Sequence, residues 1–212
     1  DPDVFLQGME IMFELVEHFP NLKYIDMGSG FKISYHSDDM ETDIALLGKK
    51  VEDAFLSFCK ENDKELELWF EPGKYLVGKS GHFLVNANVI KQTTATVFVG
   101  VNSGFNHLIR PMFYDSYHII ENLSNPTGTE SIYTVVGNIC ETDTFAWDRK
   151  LNEVREGDIL VFRNAGAYGF EMSSNFNSRL KPAEVLWLND KAHLIRKREV
   201  FEDLLKNQIE VL

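Results

Sequence analysis

The spacing of apolar residues changes once along the chain, near residue 82, and that change limits the folds open to it. Before it, the spacing is helical. Phe5, Leu6, Met9, Phe13, Leu15 and Val16 mark a helix over residues 4–19 that Pro20-Asn21 stops, and Ile44, Leu46, Leu47, Val51, Ala54, Phe55 and Phe58 mark a second over 43–61. Short apolar runs at 24–27 and 66–70 end at Gly28-Ser29-Gly30 and Glu71-Pro72-Gly73, as buried parallel strands end at site-forming loops. After residue 82 come β-branched runs at 83–85, 89–90, 96–99, 133–136 and 159–162, separated by Gly, Asn, Asp and Pro. Arg155-Glu156-Gly157-Asp158 predicts a tight turn before the last of these. Residues 199–211 predict a closing amphipathic helix around Phe201, Leu204, Leu205 and Ile209. The order is α-β-loop-α-β-loop, then an all-β portion. Two strands and two helices cannot close a parallel barrel, which needs eight βα units and about 250 residues. The first portion is therefore either a small open α/β layer or the tail of something larger.

Charge and cysteine usage exclude several roles. Thirty-three acidic residues against 21 basic ones give a net charge of -12 over 212 residues, a repulsive field for a nucleic-acid backbone. Cys59 and Cys140 lie far apart with no CxxC pair, which argues against a zinc cluster or a disulfide framework and for a reducing compartment. No run approaches the roughly 18 apolar residues of a membrane helix, and Asp1-Pro2-Asp3 is unlike a signal peptide. These features predict a soluble, cytoplasmic protein with no nucleic-acid or membrane partner. The first residue is not Met and a helix starts at once, so the chain reads as beginning in mid-fold.

Several strings carry possible chemistry. Residues 73–80 fit the G-x-x-x-x-G-K-S pattern of nucleotide-binding loops, but the loop is bulky at Tyr75, Leu76 and Val77 and a strand follows where a helix must hold the phosphates. Gly28-Ser29-Gly30 is either an ordinary βα turn or a phosphate cradle built from backbone N–H groups. With Glu71-Pro72-Gly73 it would face one crevice at the ends of successive parallel strands. Arg110, beside Pro111 among apolar residues, suits either a structural ion pair or a bidentate carboxylate clamp. A lone Cys such as Cys140 is more often core than catalytic, and His107 and His118 are either acid–base groups or satisfied structural residues. Residues 166–179 are small, polar and turn-forming directly after an apolar strand, which reads as a site loop carrying Tyr168.

Taken together, five strings in order resemble the fold type III pyridoxal-phosphate-dependent decarboxylases. They are Ile25-Asp26-Met27-Gly28-Ser29-Gly30-Phe31, Glu71-Pro72-Gly73-Lys74, Asn106-His107-Leu108-Ile109-Arg110-Pro111-Met112-Phe113-Tyr114, Cys140-Glu141-Thr142-Asp143, and residues 166–185. The similarity spans essentially the whole chain. It implies the last part of a (β/α)8 TIM barrel of the alanine-racemase type over residues 1–82, followed over 83–212 by a C-terminal β-sandwich or β-barrel domain with its closing helix. It also implies a homodimer with active sites shared across the subunit interface.

The resemblance carries residue roles as well. Gly28, Ser29, Gly30, Gly73, Lys74 and Tyr168 would hold pyridoxal 5'-phosphate, and Glu71 would keep its ring nitrogen protonated. Lys74, Arg110, Tyr114, Glu141 and Tyr168 would hold an amino-acid substrate, and Cys140 would donate the proton that replaces carbon dioxide. Arg110 for a distal carboxylate and Glu141 for a distal amine point to meso-diaminopimelate, converted to L-lysine. Sister reactions on ornithine, arginine or carboxynorspermidine, or a non-catalytic interaction protein derived from the family, are the alternatives. Three departures stand out: Lys74 where most members have Arg, Ser29 where the middle Gly is usual, and a Cys140–Asp143 string one residue shorter than the common form. None of the lysines matches the family's Schiff-base Lys, which together with a ring-stacking His belongs to a region preceding Asp1.

Overall fold

The computed structural model describes residues 2–36 and 38–211, which form two compact units, 1–79 and 80–212. In the first, α1 (Pro2–Val16) and α2 (Ile44–Glu61) accompany two parallel strands, β1 (Tyr24–Asp26) and β2 (Glu67–Trp69), paired Tyr24 to Glu67 and Asp26 to Trp69. Asp43 starts α2 because its carboxylate accepts the otherwise orphaned amides of Ala45 and Leu46 at 3.1 and 3.0 Å. The apolar stripe of each helix then closes on β1: Met9, Val16, Ile25, Leu47, Val51 and Phe55 are buried, and the Phe13 and Phe58 rings stack at 4.1 Å. After β2 come a short helix, α3 (Gly73–Val77), and a 3-10 turn, Gly78–Ser80.

The second unit is mainly β. Its strands are β3 (Phe83–Gln92), β4 (Val97–Val101), β5 (Ile120–Asn122), β6 (Glu130–Val136), β7 (Thr144–Asn152) and β8 (Ile159–Phe162). They form one six-stranded sheet in the order β5-β8-β3-β4-β6-β7, antiparallel except where β4 meets β6. The sheet curls until its edges meet: Asn122 at the end of β5 donates through Nδ2 to the Glu153 carbonyl just beyond β7 and to Asp158 Oδ2, both at 2.8 Å. Inside the curl lie Val99, Val135, Leu160 and Phe162, essentially without exposure. A helical turn, α4 (Arg110–Tyr114), links β4 to β5, and a hairpin of β9 (Glu184–Leu188) and β10 (Lys191–Arg196) follows. The chain ends with α5 (Phe201–Leu205). No helix among the described residues is long and apolar enough to cross a membrane.

Two sequence expectations are corrected. The runs at 83–85 and 89–90 are one ten-residue strand, because a register shift between Ala87 and Val89 breaks the alternation while Ala87 still bonds Gly157 and Asp158. The closing helix spans only Phe201–Leu205 instead of 199–211, with Val200 N–H donating to Asp203 at 2.9 Å. Ile209 and Val211 are 85% and 86% exposed, so no buried stripe supports further turns. The β9–β10 hairpin was not anticipated. Its turn places Asn189 and Asp190 at φ 51° and 57°, the backbone of a tight primed turn.

Candidate active site

The site residues form two sets, one in each unit. In the first, β1 and β2 end side by side: Met27 N–H donates to the Trp69 carbonyl at 3.0 Å, and Glu71 N–H to the Gly28 carbonyl at 2.6 Å. The two loops therefore leave adjacent strand ends together. Gly28 has φ +65° and Gly30 φ +117°, angles that disfavour any side chain, whereas Ser29 has a negative φ that accepts its Cβ. Gly28 N–H is taken by Asp26 Oδ1 at 2.8 Å. Among the described residues no hydrogen bond engages the amides of Ser29 and Gly30, both exposed, and nothing lies within 4 Å of where a Gly30 Cβ would be. Two open amides in a space without side chains fit a phosphate. Gly73 N–H donates to the Glu71 carbonyl at 2.8 Å, and the Lys74 ammonium lies 5.6 Å from the Tyr35 ring centroid.

The nucleotide-loop pattern at 73–80 does not form a loop. Those residues are themselves helical, Gly78 is buried with Ile33 Cδ1 2.8 Å from where its Cβ would be, and Lys79 pairs with Glu41. An apolar cavity of about 490 Å³, lined by residues such as Phe31, Leu47, Val51, Phe55, Phe70 and Tyr75, lies in the same unit.

In the second unit, α4 places Arg110 between two tyrosines. Its guanidinium carbon is 5.9 Å from the Tyr114 ring centroid and 5.6 Å from that of Tyr168, and Nη2 donates to Ser116 Oγ at 3.2 Å. Arg110 Nε is buried with no hydrogen-bond partner among the described residues. Tyr168 has φ 58°, uncommon for a bulky residue and worth about 1–3 kcal/mol of strain.

Cys140 and Glu141 are exposed neighbours, the thiol 3.4 Å from Glu141 Oε2. Asn177 reaches Cys140 Sγ through Nδ2 at 3.8 Å, and Arg179 donates to the Asn138 carbonyl at 3.1 Å. The segment 166–179 therefore touches Arg110 through Tyr168 and the Cys140 turn through Asn177 and Arg179. These last two, with Ser116, were not singled out from the sequence as site residues; the positive φ of Asn177 has no side-chain signature beyond the residue type.

The histidines take structural places. His118 Nδ1 sits 2.9 Å from the Arg163 carbonyl, and His107 bridges Ser103 Oγ at 2.7 Å and the Leu180 carbonyl at 3.0 Å. Burial lowers both pKa values, with Arg110 and Arg149 adding repulsion at His118. Cys59 packs on α2 against the first unit's core.

The chain belongs to the pyridoxal-dependent decarboxylases. Residues 32–166 match the family described as pyridoxal-dependent decarboxylase, C-terminal sheet domain. A diaminopimelate decarboxylase of Methanothermobacter thermautotrophicus is 38% identical over 98% of this chain and 50% of its own. A solved diaminopimelate decarboxylase superposes with a TM-score of 0.90 at 34% identity, covering 97% of this chain and 52% of its own. The M. jannaschii enzyme, crystallised with L-lysine, gives 0.88 at 30% identity over 100% of this chain and 49% of its own. The chain thus spans about half the length of these relatives.

Proposed function

We propose that the protein is a pyridoxal-phosphate-dependent decarboxylase that converts meso-diaminopimelate to L-lysine and carbon dioxide. The observation that carries this reading is Arg110, whose guanidinium lies beside the Tyr114 and Tyr168 rings with Nε buried and unpaired among the described residues. A planar fork held this way suits a distal carboxylate, which ornithine and arginine lack. The relatives' activity and the L-lysine bound to one of them agree with it.

When bound, the cofactor supplies an electron sink for the pair left at the α-carbon as carbon dioxide departs. This chain's residues bind and orient. The amides around Gly28, Ser29 and Gly30, with Gly73, Lys74 and the Tyr168 hydroxyl, would hold the phosphate, and the Glu71 carboxylate would accept a hydrogen bond from the ring nitrogen and so keep it protonated. Lys74, Arg110, Tyr114 and Tyr168 would hold the substrate, with Arg110 on its distal carboxylate and Glu141 on its distal amine. The Cys140 thiol would donate a proton to the α-carbon. The remaining turns of the TIM barrel, a β-sandwich or β-barrel completed around the second unit, a homodimer with shared sites and a cytoplasmic location belong to the same reading.

Lysine formation by the intact protein tests it. Turnover of meso-diaminopimelate is expected; turnover only of ornithine, arginine or carboxynorspermidine would move the protein to a sister reaction. Cys140→Ala should lower kcat by about 10²–10⁴ while pyridoxal phosphate occupancy, read by absorbance, stays unchanged. An unaltered kcat removes Cys140 from the proton-donor role.

A further inference from the structure

Asp26 is the last residue of β1 and is half-buried, and its side chain reaches forward along its own chain: Oδ1 accepts from Gly28 N–H at 2.8 Å. Gly28 is held from its other side as well, because its carbonyl accepts from Glu71 N–H at 2.6 Å. The register of β1 and β2 places Asp26 opposite Trp69, with Met27 N–H on the Trp69 carbonyl. Continued one step further, that parallel ladder would give Glu71 N–H the Met27 carbonyl. The bond goes instead to the Gly28 carbonyl, which the φ of +65° at Gly28 turns towards β2.

This clamp decides where the next amide points. The carbonyl and the N–H of a trans peptide face opposite ways, so the peptide joining Gly28 to Ser29, with its carbonyl on Glu71, directs Ser29 N–H away from the end of β2. That amide is exposed and meets no acceptor among the described residues. Glu71, whose carboxylate would face the ring nitrogen, hangs on the same bond. The turn at Gly28 therefore serves both ends of a cofactor: an amide for its phosphate and the backbone that carries a carboxylate for its ring.

We propose that Asp26 is a positioning residue for the cofactor: by holding Gly28 N–H it keeps the left-handed turn that presents Ser29 N–H to the phosphate. The inference rests on the decarboxylase reading above. Without the Asp26 acceptor the turn loses its anchor, and glycine enters negative φ about as readily as positive. The direction of the effect separates geometry from charge. A carboxylate beside the cradle repels a phosphate, so loss of its charge alone would tighten binding, whereas loss of its acceptor weakens it. Asparagine removes the charge and keeps a side-chain carbonyl to accept from Gly28 N–H.

The test uses the intact protein and three ligands: pyridoxal phosphate, pyridoxal, which lacks the phosphate, and inorganic phosphate. Asp26→Ala should raise Kd for pyridoxal phosphate by about ten- to hundredfold, the loss of one charge-assisted hydrogen bond, and Kd for pyridoxal by less than about threefold. Asp26→Asn should bind pyridoxal phosphate within about threefold of wild type or more tightly. Gly28→Ala strains the same turn with nothing within 4 Å of where its methyl would be. It should weaken pyridoxal phosphate by about tenfold against an unchanged pyridoxal affinity, and it decides the matter if Asp26→Ala does not fold. The double variant should lose no more than about threefold beyond Asp26→Ala, because both changes act on one turn. A merely structural role would lower the urea midpoint and leave the ratio of pyridoxal phosphate to pyridoxal affinity where it is in wild type. That ratio unchanged in Asp26→Ala or Gly28→Ala, an Asp26→Asn protein as weak as Asp26→Ala, or full additivity in the double variant overturns the proposal. If the wild-type protein binds inorganic phosphate but not pyridoxal phosphate, the decarboxylase reading fails, and the comparison of Asp26→Ala with Asp26→Asn is decided on phosphate; if it binds neither, both readings fail.

Discussion

Gly81 stands where the chain enters β3, against Gly166, the first residue of the segment that carries Tyr168. A methyl at position 81 would lie 2.3 Å from Gly166 Cα and 2.4 Å from its nitrogen, backbone atoms with no side-chain rotamer to yield. Ordinary contact between carbon atoms is about 3.5 Å, so the backbone at 166 would have to retreat by about 1.2 Å. Ala165 N–H donates to the Gly81 carbonyl at 2.9 Å, so the same retreat strains the bond that holds the two segments together. Overpacking costs about 1–3 kcal/mol and a lost hydrogen bond about 1, so Gly81→Ala should destabilise the second unit by about 2–4 kcal/mol. Urea titration followed by tryptophan emission reads this, because Trp147 and Trp187 both belong to that unit. Gly48 provides the control within α2: nothing lies within 4 Å of where its Cβ would be, so Gly48→Ala should stabilise the first unit by about 0.5–1 kcal/mol, reported by Trp69. A Gly81→Ala protein within about 0.5 kcal/mol of wild type would refute the argument, since it would mean that the crossing of 81 and 166 is loose enough to absorb a methyl.

Two further outcomes follow from burial. Phe162 is wholly buried, with its ring 5.8 Å from that of Phe83 and 5.1 Å from that of Phe145, so Phe162→Ala should lower the urea-derived stability of the second unit by about 3–5 kcal/mol; a loss below about 1 would place its ring at the surface in solution. His107 and His118 have folded pKa values held below the ordinary value of about 6.5 by burial. Protons then bind the unfolded chain first, so the stability these residues contribute is present above about pH 6.5 and is lost as pH falls through that value towards their folded pKa values. Urea midpoints measured from pH 8 to 5 should fall, and His118→Gln, which can still donate to the Arg163 carbonyl, should flatten part of the slope; a flat wild-type profile would contradict the assignment.

What could be read in the sequence was what neighbours in sequence decide. The α2 helix was legible because Asp43 and the stripe from Leu47 to Phe55 lie within a few turns of each other, and the cap bonds span only two and three residues. The turn at Arg155-Glu156-Gly157-Asp158 was legible for the same reason, with Gly157 at φ +91° and Asp158 N–H returning to the Arg155 carbonyl. The continuity of β3 was not, because partners outside the strand maintain it across its irregularity: Asn86 exchanges bonds with Asn102, and Ala87 with the 157–158 turn. The length of α5 was misjudged because an amphipathic pattern states only that a helix could bury one face, and Ile209 and Val211 have no face to meet.

The site divides along the same line. Gly28 and Gly30 could be weighed as a cradle from their identity, because glycine is the residue that accepts φ +65° and +117° at no cost. Tyr168 carries no such mark: its φ of 58° is imposed by the segment around it, and its place beside Arg110 joins residues 58 positions apart. Asp143 is the sharper case. It was visible as the last letter of a string, yet its partner Phe105 lies 38 residues away, and the two glycines that admit its carboxylate, Gly104 and Gly137, sit on opposite sides of that gap. A buried carboxylate held by main-chain amides, unlike one in an ion pair, has no complementary charge elsewhere in the sequence to betray it. That is why residues whose types suggest chemistry, such as Arg110 and Cys140, could be weighed in advance, while a carboxylate that ties together backbone 38 positions apart emerged only with the fold.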